Sequence, residues 1–343
     1  MPTRILTGDR PTGPLHLGHY AGSLSERLRY QNEVRAECYF IIADYQVMTD
    51  REDTSEVEKN IFEVMLDYLA VGIVPYPFQE PSKGTSVVFI QSRVPQLAEL
   101  FMFFSMITTM AKVGRNPTVK EEVRAAGLES RMSLGMFSYP VSQAADILLF
   151  QPDYVPVGED QVPHIEMTRG VARTFNNLYG ETFKLPEVVI SNVPRLLGLD
   201  ASQKMSKSRG NAIYLSDDAD TVRAKIKTAV TDSGREVVFD LVNKPAISNL
   251  LVMYQLATGT DMADIEHEFA GKGYGHLKAR LTEALNSFLS PIRMRRRTYA
   301  GDKLMVAQLL KAGTERAIVE GEKTMQRVRE AMKYNYPHIF DNR

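Results

Sequence analysis

Short apolar runs and amphipathic stretches alternate along the first half of the chain. Arg4-Ile5-Leu6-Thr7 reads as a strand, and a loop rich in glycine and proline leads from it into a helix from about Leu17 to Glu33. Cys38-Tyr39-Phe40-Ile41-Ile42-Ala43 is an unbroken apolar run of strand length closed by Asp44, and 86–91 is a second. Between them Ile61, Val64, Met65, Tyr68 and Leu69 recur at helical spacing, predicting a helix over 56–72 that stops at Gly72. Tyr154 to Val157 returns to strand, and 158–161 opens another helix. Strands separated by helices in this way pair in parallel, with helices on both faces. The expected fold class is α/β, a doubly wound parallel sheet, with ligands bound beyond the carboxyl ends of its strands.

Two stretches depart from that alternation. From Leu97 to Tyr139 the pattern is helical and rich in methionine (Met102, Met106, Met110, Met132, Met136), which reads as core packing or a subunit interface. After residue 208 the chain is mostly helical, with candidate helices over 217–231, 246–258, 277–297 and 302–334. The expectation is a domain over 1–215 carrying a helical insertion at about 97–140. A helical domain over 216–343 follows, its last helix packing back on the first domain.

Composition narrows the classes without choosing one. The chain has 343 residues, 44% apolar and 24% charged, with a net charge of −1. No apolar run approaches a membrane span, and the apolar part of the N-terminus is too short for a signal peptide. Cys38 is the only cysteine, which excludes an internal disulfide or a cysteine-built metal site and makes a cytoplasmic location the expectation. Two arginine clusters, Arg293 with Arg295, Arg296 and Arg297, and Arg27 with Arg29 and Arg35, read equally well as an RNA face or as solvated helix surface.

Chemistry concentrates in two distant segments. Thr7-Gly8-Asp9-Arg10-Pro11-Thr12-Gly13-Pro14-Leu15 leads into His16-Leu17-Gly18-His19, and a polar loop carries Lys204-Met205-Ser206-Lys207-Ser208. Glycine lets a backbone or base approach closely, imidazole and ammonium offer cationic donors, and serine offers a hydroxyl. Together they suit a triphosphate held from both sides. Asp146 is different, a single carboxylate inside the apolar run 144–150. It either pairs with a backbone N–H or an arginine, or accepts a hydrogen bond from a ligand that is otherwise apolar, as an indole is.

His16-Leu17-Gly18-His19 and Lys204-Met205-Ser206-Lys207-Ser208 resemble the HIGH and KMSKS signatures of class I aminoacyl-tRNA synthetases, the second letter for letter. The segments 139–150 and 155–166, with TAVTD at 228–232, KPAISNLL at 244–251 and GKGYG at 271–275, resemble the tryptophanyl branch, so the resemblance covers most of the chain. It implies a Rossmann-like catalytic domain, a helical anticodon-binding domain and a homodimer. It also implies ATP-dependent activation of L-tryptophan, with Mg²⁺ on the phosphates and no metal held by the protein, then transfer to tRNA(Trp), without membrane or DNA partners.

Carried over residue by residue, the resemblance puts Arg10, Pro11, Thr12, Gly18 and His19 around ATP. Gly158, Glu159 and Asp160 face the ribose, Leu196 faces the adenine, and the 204–208 loop faces the pyrophosphate. His16, His19, Lys204, Ser206 and Lys207 serve the chemistry. Asp146 reads the indole N–H, Tyr139 and Gln161 hold the α-ammonium, and Val155, Val157 and Gln143 border the ring. The chain departs from the common bacterial pattern at Leu6, Arg10, His19, Gln46 and Gln143, which places it in a divergent subgroup. The competing readings are a tyrosyl enzyme, which tends to carry a different DQ-containing segment; a nucleotidyltransferase of the same fold, which usually lacks KMSKS followed by a helical RNA-binding domain; and a regulatory relative without aminoacylation, against which the intact HLGH and KMSKS argue.

Overall fold

The computed structural model describes residues 2–49, 51–78, 80, 83–125, 127, 130–190 and 196–340, and for Ala125, Ser208 and Phe340 the backbone only. Five strands, β1 (Arg4–Asp9), β2 (Glu37–Ile42), β3 (Ser86–Ile90), β4 (Tyr154–Val157) and β5 (Glu187–Ile190), form one parallel sheet in the order β3-β2-β1-β4-β5. β1 is central, and the order reverses there, so the loop after β1 opens at the switch point of the sheet, where crevices form. The doubly wound α/β expectation holds. β5 is absent from the sequence reading, although Val188-Val189-Ile190 is β-branched throughout.

The periodic helices form close to where the pattern puts them. Val57–Val71 ends on Gly72, whose left-handed φ of 110° lets the chain turn out of the helix. Beyond residue 215 the helices are Ala219–Thr228, Pro245–Thr258, Met262–Phe269, Tyr274–Ala300, Lys303–Met332 and the short Pro337–Phe340. The stretch from Leu17 to Val34 is helical, with π-type turns at Tyr20–Leu24 and Tyr30–Val34.

The core crosses the middle of the chain. Leu15, Leu17 and Val64 share one apolar cluster with Ile213, Val222, Leu250, Leu277 and Leu310. Lys303–Met332 lies against the β3 edge, where a Cβ on Gly313 would stand 2.0 Å from the Val88 carbonyl oxygen, so glycine is what permits that approach. Thr314 Oγ1 accepts from Ile90 N at 3.3 Å beside it. An otherwise open sheet edge is thereby covered.

Candidate active site

The residues after β1 set a tight polar turn. His16 caps Leu17–His19, its Nδ1 accepting from Gly18 N at 3.1 Å, while His16 N donates to His19 Nδ1 at 3.2 Å. Both Nδ1 atoms are therefore acceptors, which leaves a neutral ring's proton on Nε2. Burial, together with Lys207 and Lys204, pushes His16 down to about 2 and His19 to about 4. The expectation of cationic imidazoles fails for this physical reason: at neutral pH both are neutral donors. The reason for glycine at Gly18 also changes. A Cβ there would stand 2.9 Å from the His16 ring, so glycine makes room for the cap.

The 204–208 loop is brought to this turn by backbone pairing. Leu17 N donates to Ile213 O at 2.9 Å and Leu215 N to Leu15 O at 3.0 Å, lacing the strand-like 213–215 segment alongside His16. Lys207 Nζ then donates to Gly13 O at 2.5 Å and Thr12 Oγ1 at 3.3 Å. Burial lowers Lys207 to about 8, Asp9 and Asp67 pulling against it. Met205 is buried, and its N–H donates to Leu196 O at 3.2 Å. Lys204 stays half-exposed, 3.6 Å from Asp160. The side chain of Ser208 lies outside the described residues.

Three supports of this half escaped the sequence reading. Asn211 Oδ1 accepts from Ser206 N at 2.9 Å, and Asn249 holds both the N–H and the carbonyl of Leu197, at 2.9 and 3.1 Å. Asp67, fully buried, accepts from Leu15 N at 2.6 Å through Oδ2 and from Arg296 Nε at 2.7 Å through Oδ1, with Glu63 also on Arg296. Burial raises Asp67, Arg296 acting against it. The arginine clusters read differently as a result. Arg296 pairs with Asp67 and Glu63, Arg295 donates to Ala70 O, and Arg293 donates to Asn286 Oδ1. Arg27 is fully buried against Asp9 at 2.9 Å with Phe40 and Tyr68 beneath it, so it is neither an RNA contact nor solvated surface. Burial would raise Asp9, but Arg27, His19 and Tyr68 Oη hold it at about 2.

The second half of the site sets carboxylates against amides, a phenol and a neutral imidazole rather than against cations. Asp146, 2% exposed on the Leu134–Leu148 helix, accepts from Gln91 Nε2 at 2.8 Å on both oxygens and from Gln46 Nε2 at 3.4 Å. Two side-chain amides hold it, in place of the backbone N–H or arginine that the sequence reading offers. Burial raises its pKa to about 7, with Asp44 adding to the shift. Asp44 in turn accepts from Ser92 N and Oγ, and Tyr45 N donates to Gln91 Oε1 at 3.1 Å, which fixes the Gln91 amide with its NH₂ toward Asp146. Val155 and Val157 share an apolar cluster with Ala144, Ala145 and Ile147, the neighbours of Asp146, and Gln143 is half-buried on the same helix.

Tyr139 Oη donates to Glu122 at 2.6 Å and lies 2.9 Å from His164 Nε2, and Gln161 Nε2 donates to Asp160 at 3.3 Å. Gly158 caps the Glu159–Gln161 turn at the mouth of β4, with Glu159 exposed. Arg10 is near enough to both halves to weaken the raising of Tyr139 and to add to the lowering of Lys207. Half-buried Thr12 and buried Pro11 complete that turn. Among the methionines, Met102, Met106, Met110 and Met132 are exposed and Met136 is buried, so core packing accounts for Met136 alone of that stripe.

Comparisons with known proteins place the chain in one family. A model of the family "tRNA synthetases class I (W and Y)" matches residues 1–290. A tryptophan–tRNA ligase of Treponema pallidum is 44% identical over 337 residues, 96% of each chain. Among solved structures, a tryptophanyl-tRNA synthetase from Campylobacter jejuni complexed with ADP and tryptophan is 32% identical, covering 96% of this chain and all of that one, with a TM-score of 0.79. One from Mycoplasma pneumoniae is 27% identical over 97% of this chain and 98% of its own, with a TM-score of 0.84.

Proposed function

Since the chain belongs to the class I tRNA synthetases of the tryptophan and tyrosine group, we propose that it activates L-tryptophan with ATP and transfers it to the 3′ end of tRNA(Trp). The observation that carries the choice of amino acid is Asp146, a carboxylate in a dry apolar wall whose fixed partners are amides. An indole has one N–H on an apolar body, and a buried acceptor whose chain neighbours pack in one apolar cluster with Val155 and Val157 matches it. A tyrosine phenol both donates and accepts, and it meets a poorer complement there.

Chemistry falls to the other half. The tryptophan carboxylate attacks the α-phosphorus in line, forming the acyl–phosphate bond and expelling pyrophosphate; the ribose hydroxyl of tRNA then attacks the carbonyl and releases AMP. Catalysis is orientation plus charge at the leaving group. Lys207 and Lys204 supply the charge, while His16 and His19 act as neutral Nε2–H donors. Ser206 contributes its backbone and hydroxyl within the 204–208 loop, and Gly158, Glu159, Asp160 and Leu196 border the nucleoside. Lys207 donates to Gly13 O and Thr12 Oγ1, contacts that it would exchange for phosphate oxygens, which suits a loop that closes on ATP. Among the described residues no group of three or more His, Cys, Asp or Glu converges on a metal site. Mg²⁺ would be carried by the phosphates, where it would offset their charge.

The 216–343 helices are the proposed tRNA-binding part. The exposed apolar surface of Met102, Met106, Met110 and Leu134, from 53% to 77% exposed, supports a homodimer, because a patch of that kind is costly in water. No helix among the described residues is long and apolar enough to cross a membrane. The test is exchange of pyrophosphate into ATP with tryptophan and tyrosine in parallel, then charging of tRNA(Trp). Exchange with tryptophan alone supports the reading, and exchange with tyrosine alone overturns it.

A further inference from the structure

Four side chains form a single directed chain, of which the family resemblance assigns a role to Tyr139 alone, on the α-ammonium. Asn116 Nδ2 lies 3.2 Å from His164 Nδ1, His164 Nε2 lies 2.9 Å from Tyr139 Oη, and Tyr139 Oη donates to Glu122 Oε2 at 2.6 Å. An amide NH₂ only donates, so Nδ1 accepts and the ring proton sits on Nε2, from which it is given to the phenol oxygen. The amide cannot turn over, because Asn116 Oδ1 accepts from Thr118 N at 3.0 Å. Thr118 Oγ1 donates to Asp160 O, also at 3.0 Å, tying this segment to the turn that carries Gln161. His164 is fully buried, and burial holds it down at about 4, so its neutral form persists through the physiological range.

The consequence lies at the phenol. Its proton goes to Glu122 and one lone pair is taken by His164, which leaves one lone pair as an acceptor. A carboxylate at the far end of the O–H bond polarises that oxygen further. We propose that Asn116, His164 and Glu122 turn Tyr139 into an acceptor-only group that reads the α-ammonium of the substrate, with His164 and Asn116 as positioning residues and Glu122 as the counter-charge. This rests on the tryptophan-activating reading and says how the free amino group is required. Without the relay the phenol could rotate its proton toward the ligand and repel an ammonium.

Steady-state pyrophosphate exchange on the full chain tests this with Glu122→Gln, His164→Leu and His164→Gln. The probe beside tryptophan is indole-3-propionate, which has the ring and carboxylate but no ammonium, measured as a competitive inhibitor. Glu122→Gln should raise the KM for tryptophan about fivefold and His164→Leu about tenfold, the scale of one hydrogen bond to a charged group. The KM for ATP should stay within about twofold, and His164→Gln, which keeps a donor near Nε2, should recover most of the loss. Inhibition by indole-3-propionate should be unchanged in all three.

Equal weakening of indole-3-propionate and tryptophan would reduce the relay to a strut for the pocket and overturn the proposal, as would an unmoved KM for tryptophan in Glu122→Gln. Glu122 is exposed, so that variant folds even if a substitution at buried His164 does not. Absence of tryptophan-dependent exchange in the unsubstituted protein would remove the underlying reading, and the proposal with it.

Discussion

The proposed nucleotide half and the proposed amino-acid half of this site solve opposite problems. Around His16 and Lys207 the protein gathers charge: an ammonium laid on a carbonyl, and a buried Arg27–Asp9 pair below it. Around Asp146 and Tyr139 it gathers fixed dipoles: two glutamine amides, one neutral imidazole and one phenol. The difference follows from the ligands. Phosphates reward cations aimed at charge as it develops, and the 204–208 loop carries two of them, Lys204 and Lys207. An indole offers one weak donor, so its recognition depends on an acceptor that is dry and immobile.

Substitutions can break this contrast at either end. Lys207→Ala should lower the rate of tryptophan-dependent pyrophosphate exchange about 10²- to 10³-fold, the scale of one lost charge stabiliser. Equilibrium binding of tryptophan should change less than threefold. Comparable losses in both would show that the halves are not separable.

Arg296→Ala should destabilise the fold by about 3 kcal/mol in denaturant titration, because it strands the buried Asp67 carboxylate. It should also raise the KM for ATP, since Asp67 holds Leu15 N at the entry to His16. A shift in tryptophan KM alone would assign Asp67 to the wrong half.

Asp146→Ala should raise the KM for tryptophan about tenfold or more and erode preference over phenylalanine, with the KM for ATP little affected. Selectivity that survives would mean that another group reads the ring.

The smallest effect concerns pH. Asp146 titrates at about 7 in the folded chain, well above its ordinary value, so the folded state binds the extra proton between the two. Its contribution to stability is therefore present at low pH and lost as pH rises towards 7. In the same window the acceptor ionises and tryptophan binding should strengthen by about threefold. Asp146→Asn should flatten both profiles, read by thermal melts and by the KM for tryptophan; a parallel slope in that variant would assign the titration to another group.

Much of this was legible along the chain. Ile61, Val64, Met65, Tyr68 and Leu69 defined a helix by spacing alone, and Cys38–Ala43 defined a strand by its length and lack of polar residues, because those signals are local. The paired signatures placed His16 and Lys207 in one site, because a triphosphate demands the same few groups wherever they lie in sequence. Asp146 stood out for being charged among apolar neighbours.

Residue order alone thus specifies the list of elements and of chemical groups. Partnership was decided only in three dimensions. Gln91 and Asp146 lie on different elements, as do Asp67 and Arg296, and His164, Tyr139 and Glu122; nothing local marks any of them as a pair. Protonation was decided there too. His16 and His19 look cationic in a sequence, but burial beside Lys207 makes them neutral. Arg27 and Arg296 look like surface charge until a carboxylate is found against each, Asp9 on the buried Arg27 and buried Asp67 on Arg296. Charge state and hydrogen-bond direction depend on desolvation and neighbours, and both are properties of the packed chain rather than of the residue.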